Sequence, residues 1–181
     1  MQLPADQLIK DLLDKTSEAT EAVKSFKLLS DEKLNFKKTK DAWSILECLQ
    51  HLNLYGDYYL GAIKKSMLSQ KTNSDPSIFK SGVVGNYFAN LMLPKDGKIS
   101  KLKSPKDKNP ANSHLTLSTI DRFLKQQEEL VSLLRQATGV NLTRTKISIS
   151  ISRFIKLRLG DTFRFFVYHI ERHILQAKRN L

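Results

Sequence analysis

Residues 160–179, GDTFRFFVYHIERHILQAKR, constrain the fold more than any other stretch of the chain. Phe163, Phe166, Val167, Ile170, Ile174 and Ala177 recur at helical spacing. They make one apolar stripe, so this segment reads as a helix with a core to cover. His169, His173 and Gln176 lie along the edge of that stripe. At i,i+4 both imidazoles leave one face of a helix, one turn apart, where they can share a metal ion. A polar patch or a satisfied core pair explains two such histidines as well. The choice depends on whether the rest of the chain supplies a third ligand and a cavity.

Three other segments carry helical patterns. Residues 4–29 repeat Leu8, Ile9, Leu12, Leu13, Ala19, Ala22, Val23 and Phe26, with Pro4 suited to the first turn. No ligand cluster sits in that stripe, so the helix reads as scaffold. A polar connection over 30–41 leads to WSILECLQHLNLYGDYYLGAIKKSML. Ser44-x-x-Glu47 is a capping box, and Trp43 with Cys48 can pack as its hydrophobic staple. The cap explains Glu47 better than a role as general base. His51 follows two turns in, on a face that continues through Tyr55, Tyr58 and Ala62 beside the stripe of Ile45, Leu49, Leu52, Tyr59 and Ile63. A further helix over 117–137 is built on Ile120, Phe123, Leu124, Leu130, Val131, Leu133 and Leu134, with Gly139 placed to end it.

Between the second and third helices, residues 69–112 are broken by Asn73, Asp75, Pro76, Gly82, Gly85, Pro94, Gly97, Pro105 and Pro110. SIFKSGVVGNYFANLML is apolar enough for a short helix or two over one mouth or side of the domain, and DGKISKLKSPKDKNP reads as a basic loop. A crossover this long allows helices two and three to run parallel. His114, at its end, reads as a surface or capping residue. Residues 146–152 alternate with period two, but a lone strand has no partner in a helical domain. They read as an extended connection with a helical turn near 154–157, and Asp161 or Thr162 as the N-cap of the last helix. The expectation is one all-α domain over 1–181, a four-helix bundle with an irregular insertion at about 69–112.

The single cysteine, Cys48, excludes an intramolecular disulfide. No apolar run reaches the length of a membrane span, and the acidic, amphipathic start does not resemble a secretion signal. These features point to the cytoplasm. The net charge of +12 is uneven: residues 95–108 hold six lysines against two aspartates, and 142–158 hold five basic residues and no acidic one. Such a field attracts nucleic acid, anionic lipid or a small anion, or is simply a solvated surface. A non-catalytic basic module that binds nucleic acid or another polyanion is therefore the alternative reading. Against it, the sequence shows no recognition motif and no exposed aromatics interleaved with the basic residues.

His51 joined to His169 and His173 makes a three-histidine set from two helices. With an open position this is the catalytic type of zinc site, and imidazole also suits nickel or iron. Cys48, three residues before His51, is better placed for the staple than for the metal. The chain resembles the DinB-like superfamily over nearly its whole length. The likeness is carried by Trp43-Ser44-x-x-Glu47-Cys48-x-x-His51-Leu52 and by His169-x-x-x-His173-x-x-Gln176, with Leu159-Gly160-Asp161 and the Lys-x-x-Lys…Pro loop also similar. It implies a four-helix bundle, up-down-down-up with a long crossover, often as a homodimer. It also implies a divalent metal, zinc or nickel, on His51, His169 and His173. Some members look like thiol S-transferases that use a low-molecular-weight bacterial thiol such as bacillithiol; others look like mycothiol-dependent isomerases. The expected function is that of a metal-dependent thiol S-transferase or hydrolase acting on a small electrophilic molecule. Tyr55 and Tyr58 would orient substrate or donate protons, or else only pack. Gln176 would support one of the helix-four histidines, and Arg172 would hold the carboxylates of an anionic thiol.

Overall fold

A computed structural model describes residues 1–69, 77–94, 99 and 102–181. Within them the chain is mostly helical: α1 (Ala5–Phe26), α2 (Asp31–Asn35), α3 (Ile45–Leu68), α4 (Val83–Met92), α5 (Ser118–Gln136) and α6 (Leu159–Lys178). The turn residues Asn73, Asp75, Pro76 and Gly97, and most of the lysine-rich stretch over 95–101, lie outside the described residues.

The four long helices share one core. α3 packs on α5 and α6, and α1 packs on the same two helices. Leu12, Val23, Ile45, Leu49, Phe123, Leu134, Phe163 and Phe166 are all buried in it. Polar contacts fix the pairs in sequence. Asn53 donates to the Thr119 carbonyl, and Arg122 pairs with Asp57 one turn further along both helices. Lys15 on α1 pairs with Glu171 on α6 at 2.9 Å.

The structure corrects the all-α expectation at two places. β1 (Gln2–Pro4) pairs antiparallel with β2 (Ile78–Lys80), with Leu3 opposite Phe79. The chain therefore enters α1 from a strand, and Pro4 stands just outside the helix. The second pair is a hairpin, β3 (Lys146–Ile149) with β4 (Ser152–Arg158), with Ile147 opposite Leu157. The period-two alternation was a strand signal, and its partner is the segment immediately after it. Ile147, Ile149 and Leu157 turn into the core, while Lys146, Phe154 and Lys156 face solvent. No helical turn forms at 154–157. The apolar stretch in the insertion does form a helix, α4, which packs on α6.

Ser44 caps α3 as expected. Its hydroxyl accepts from the Glu47 N–H, and Glu47 Oε2 accepts from the Ser44 N–H at 2.9 Å. Glu47 Oε1 also accepts from the Asn112 N–H and pairs with Lys37 at 2.7 Å, so the buried carboxylate is fully occupied by structure. Ser44→Ala is expected to cost about 1 kcal/mol of stability. Thermal unfolding would register this as a drop of a few degrees with unchanged secondary structure.

Candidate metal centre

His51 leaves α3 near its capped end, and His169 and His173 leave α6 one turn apart. The two helices bring the three side chains together, all buried. One ring nitrogen from each lies within 4.8 Å of the other two. His51 Nε2 and His169 Nε2 stand 3.1 Å apart. Two nitrogens on one tetrahedral ion, at about 2.0–2.1 Å each, sit about 3.3 Å apart.

Hydrogen bonding sets which nitrogens are bare. His51 Nδ1 lies 2.5 Å from the Lys108 carbonyl, which can only accept, so the proton is on Nδ1 and Nε2 carries a lone pair. His173 Nδ1 donates to Gln176 Oε1 at 2.9 Å, which leaves its Nε2 bare as well. His169 Nδ1 is buried without a partner. If His169 holds its proton there, two bare Nε2 atoms face each other; if not, Nδ1 is an orphan acceptor. In neither tautomer does the protein alone satisfy His169, and a cation against the bare Nε2 atoms removes the clash of the first. The residues fit a divalent ion.

The electrostatics agree. Burial pushes the His51 pKa down to about 4, partly opposed by the Lys108 carbonyl. Burial, and then the neighbouring histidines, hold His169 well below the usual range; burial, then His51 and Arg172, do the same for His173. All three are thus neutral at neutral pH, the form that binds metal. Among the described residues no carboxylate or thiolate joins the cluster. Cys48 is buried outside it, its thiol pushed far up by burial and the Glu47 charge.

The depressed pKa values carry a stability consequence. Between about pH 6.5 and 4 the unfolded chain takes up protons that folded histidines refuse, so stability rises with pH across that window. In chelator-treated protein it is expected to be complete above about pH 6.5. It should be lost as pH falls toward about 4, by about 3 kcal/mol from His51 alone. Urea midpoints at stepped pH would show it; a flat profile would mean the histidines are solvated.

A cavity of about 590 Å³ opens on the cluster. Tyr55, Arg172 and Gln176 line it with the three histidines. Tyr55 sits 4.9 Å from the His51 ring and 4.5 Å from that of His169. Burial, with Tyr59 and Asp107, pushes its hydroxyl up to about 12, so it stays a proton donor. Tyr58 is not brought to the cavity: its hydroxyl donates to the Ser148 carbonyl at 3.1 Å and ties the hairpin to α3. His114 is exposed, away from the cluster.

Two contributors were missed in the sequence. Trp43 stacks on His173 at 5.7 Å and lies 4.8 Å from His51, while its carbonyl is held by Asn180. Its sequence position suits a staple beside the cap, and nothing in its spacing ties it to α6. The Lys108 carbonyl comes from the insertion, where only the fold could place it. The expected N-cap of α6 is also corrected. The helix starts at Leu159, and Asp161 is a buried ion-pair partner of Arg164.

This arrangement defines a helical protein with a buried three-histidine centre opening on one cavity. Residues 12–177 match the model of the DinB superfamily, a family generally associated with metal. The chain belongs to that superfamily. No curated protein and no solved structure matches it.

Proposed function

We propose that this chain is a cytoplasmic, metal-dependent thiol S-transferase or hydrolase acting on a small electrophilic molecule. The observation that carries the reading is the cluster of bare imidazole nitrogens at the wall of one cavity. His51, His169 and His173 would hold the ion, and three neutral nitrogen donors suit zinc or nickel. When bound, a divalent ion with no anionic ligand supplies Lewis acidity, lowering the pKa of a water or thiol in the cavity.

The remaining residues have separate roles in this reading. Gln176 holds the His173 proton on Nδ1 and so orients that ring. Tyr55 offers an un-ionised hydroxyl beside two of the histidines. Arg172 gives the cavity a cationic wall for the carboxylate of an anionic thiol. The contact order supports the bundle expected of the family. Successive α3–α5 contacts advance along both helices, as a down-down pair requires, and His51–His173 followed by Tyr59–Phe165 run in opposite order on α3 and α6.

The test is elemental analysis of protein purified without chelator or a polyhistidine tag, then turnover of a carboxylate-bearing thiol with 1-chloro-2,4-dinitrobenzene and of activated esters. The reading expects about one equivalent of metal, and activity lost on chelation and restored by zinc or nickel. Activity indifferent to chelation and to His51→Ala would sink it.

One observation favours the polyanion reading. Phe154 is 84% exposed and carries the Arg153 guanidinium 5.3 Å above its ring, with Lys146 and Lys156 exposed on the same hairpin. An exposed aromatic among basic residues, which the sequence did not reveal, is therefore present. Salt-dependent binding of single-stranded DNA or RNA by metal-free protein would support that reading.

A further inference from the structure

The cavity changes character along its length. α3 and α6 line it in opposite order, His51, Tyr55 and Tyr59 facing His173, His169 and Phe165, with ring centroids 4.5, 4.5 and 5.6 Å apart. From Phe165 to Arg179 the cavity face of α6 rises about 21 Å. Its Arg179 end is mainly cationic: Arg172 stands beside the histidines, and Lys103 and one acidic residue, Asp41, also line the cavity. Its other end is apolar, closed by Tyr59, Phe88, Met92, Ile149, Leu157 and Phe165. The Tyr59 hydroxyl is taken up by the Ser150 N–H at 3.2 Å, so it presents an aromatic face rather than a polar group. The border is sharp: Phe165 stacks on His169 at 5.8 Å, and Phe88 meets Phe165 edge-on at 6.4 Å.

A preformed apolar compartment next to a polar centre binds the body of a ligand whose head lies at the centre. We infer that the substrate is an amphiphile, with an aromatic or medium-chain alkyl body in the compartment formed by α4 and the β3–β4 hairpin and a polar, reactive head over the histidines. The inference rests on the cavity being the active site, and it names the electrophile's class where the catalytic proposal leaves it open. The whole cavity, about 590 Å³, is of the size that encloses such a molecule.

The test is titration calorimetry with butanoate, hexanoate, octanoate and decanoate on chelator-treated and zinc-loaded protein. Affinity is expected to rise up to about fourfold per methylene until the compartment is filled. Phe88→Glu, which places a charge in the compartment, should weaken decanoate at least tenfold and butanoate less than twofold. Tyr87→Glu, on the exposed face of α4, should change neither by more than twofold. A flat series on the unmodified protein overturns the inference, even where zinc is bound stoichiometrically. Loss of zinc binding with the chain-length dependence intact overturns the metal reading and leaves the compartment standing.

Discussion

His173→Ala is expected to abolish stoichiometric binding of zinc or nickel, with affinity reduced well over about 100-fold. The substitution removes one of three nitrogen donors and leaves His51 and His169 alone in a buried site. No carboxylate or thiolate among the described residues stands ready to replace it. Gln176→Leu grades the effect. It leaves all three ligands but frees the His173 proton, and losing such an outer hydrogen bond typically costs about 10–100-fold in metal affinity. Competition with a chromophoric chelator would order the proteins as wild type, Gln176→Leu, His173→Ala. A His173→Ala protein that keeps a full equivalent of metal would place the site elsewhere.

The three clustered histidines were legible because their signal is local. An i,i+4 pair on a strongly patterned helix and one histidine two turns after a capping box need no tertiary knowledge to be set on faces. The long helices followed for the same reason: Leu12, Ile63, Phe123 and Phe166 sit where the period places them. What could not be read depends on partners distant in sequence. The strand character of 146–149 is visible in the sequence, but a lone strand needs a partner, and nothing in 152–158 marks that segment as the partner rather than a helical turn. Leu3–Phe79 pairing spans the first two long helices, and three residues on each side give no pattern to detect. Tyr55 and Tyr58 look alike in the sequence. Only the hairpin above α3 separates a cavity residue from one that anchors a strand.

Asp161 is the clearest case of a residue whose role the fold alone assigns, and its replacement should have the largest effect on stability. It is fully buried in the first turn of α6, beside a buried Arg164 whose Nη1 lies 3.2 Å from Oδ1. Oδ2 accepts from the Gly82 N–H at 2.8 Å, and the Ser81 hydroxyl donates to Oδ1. Arg164 then donates to Asn86 at 3.1 Å and Asn90 at 3.4 Å. The pair therefore clamps α4, a wall of the cavity, to α6. Gly85 lets the helix lie this close, because a β-carbon there would collide with the Asp161 side chain. Asp161→Ala strips the counter-ion from a buried guanidinium and leaves the Gly82 N–H unpaired. The expected loss is about 3–5 kcal/mol of unfolding free energy, read from urea denaturation. Replacing both charges, Asp161→Leu with Arg164→Met, should recover part of it, because it removes the unpaired buried charge while the Gly82 N–H still lacks its acceptor. The site should report the same event. In Asp161→Ala, amide exchange along α4 should quicken before exchange in α3 or α6 does, while the histidines still bind metal. Unchanged stability and unchanged α4 protection would mean that Asp161 and Arg164 are solvated and that the wall of the cavity is held by apolar packing alone.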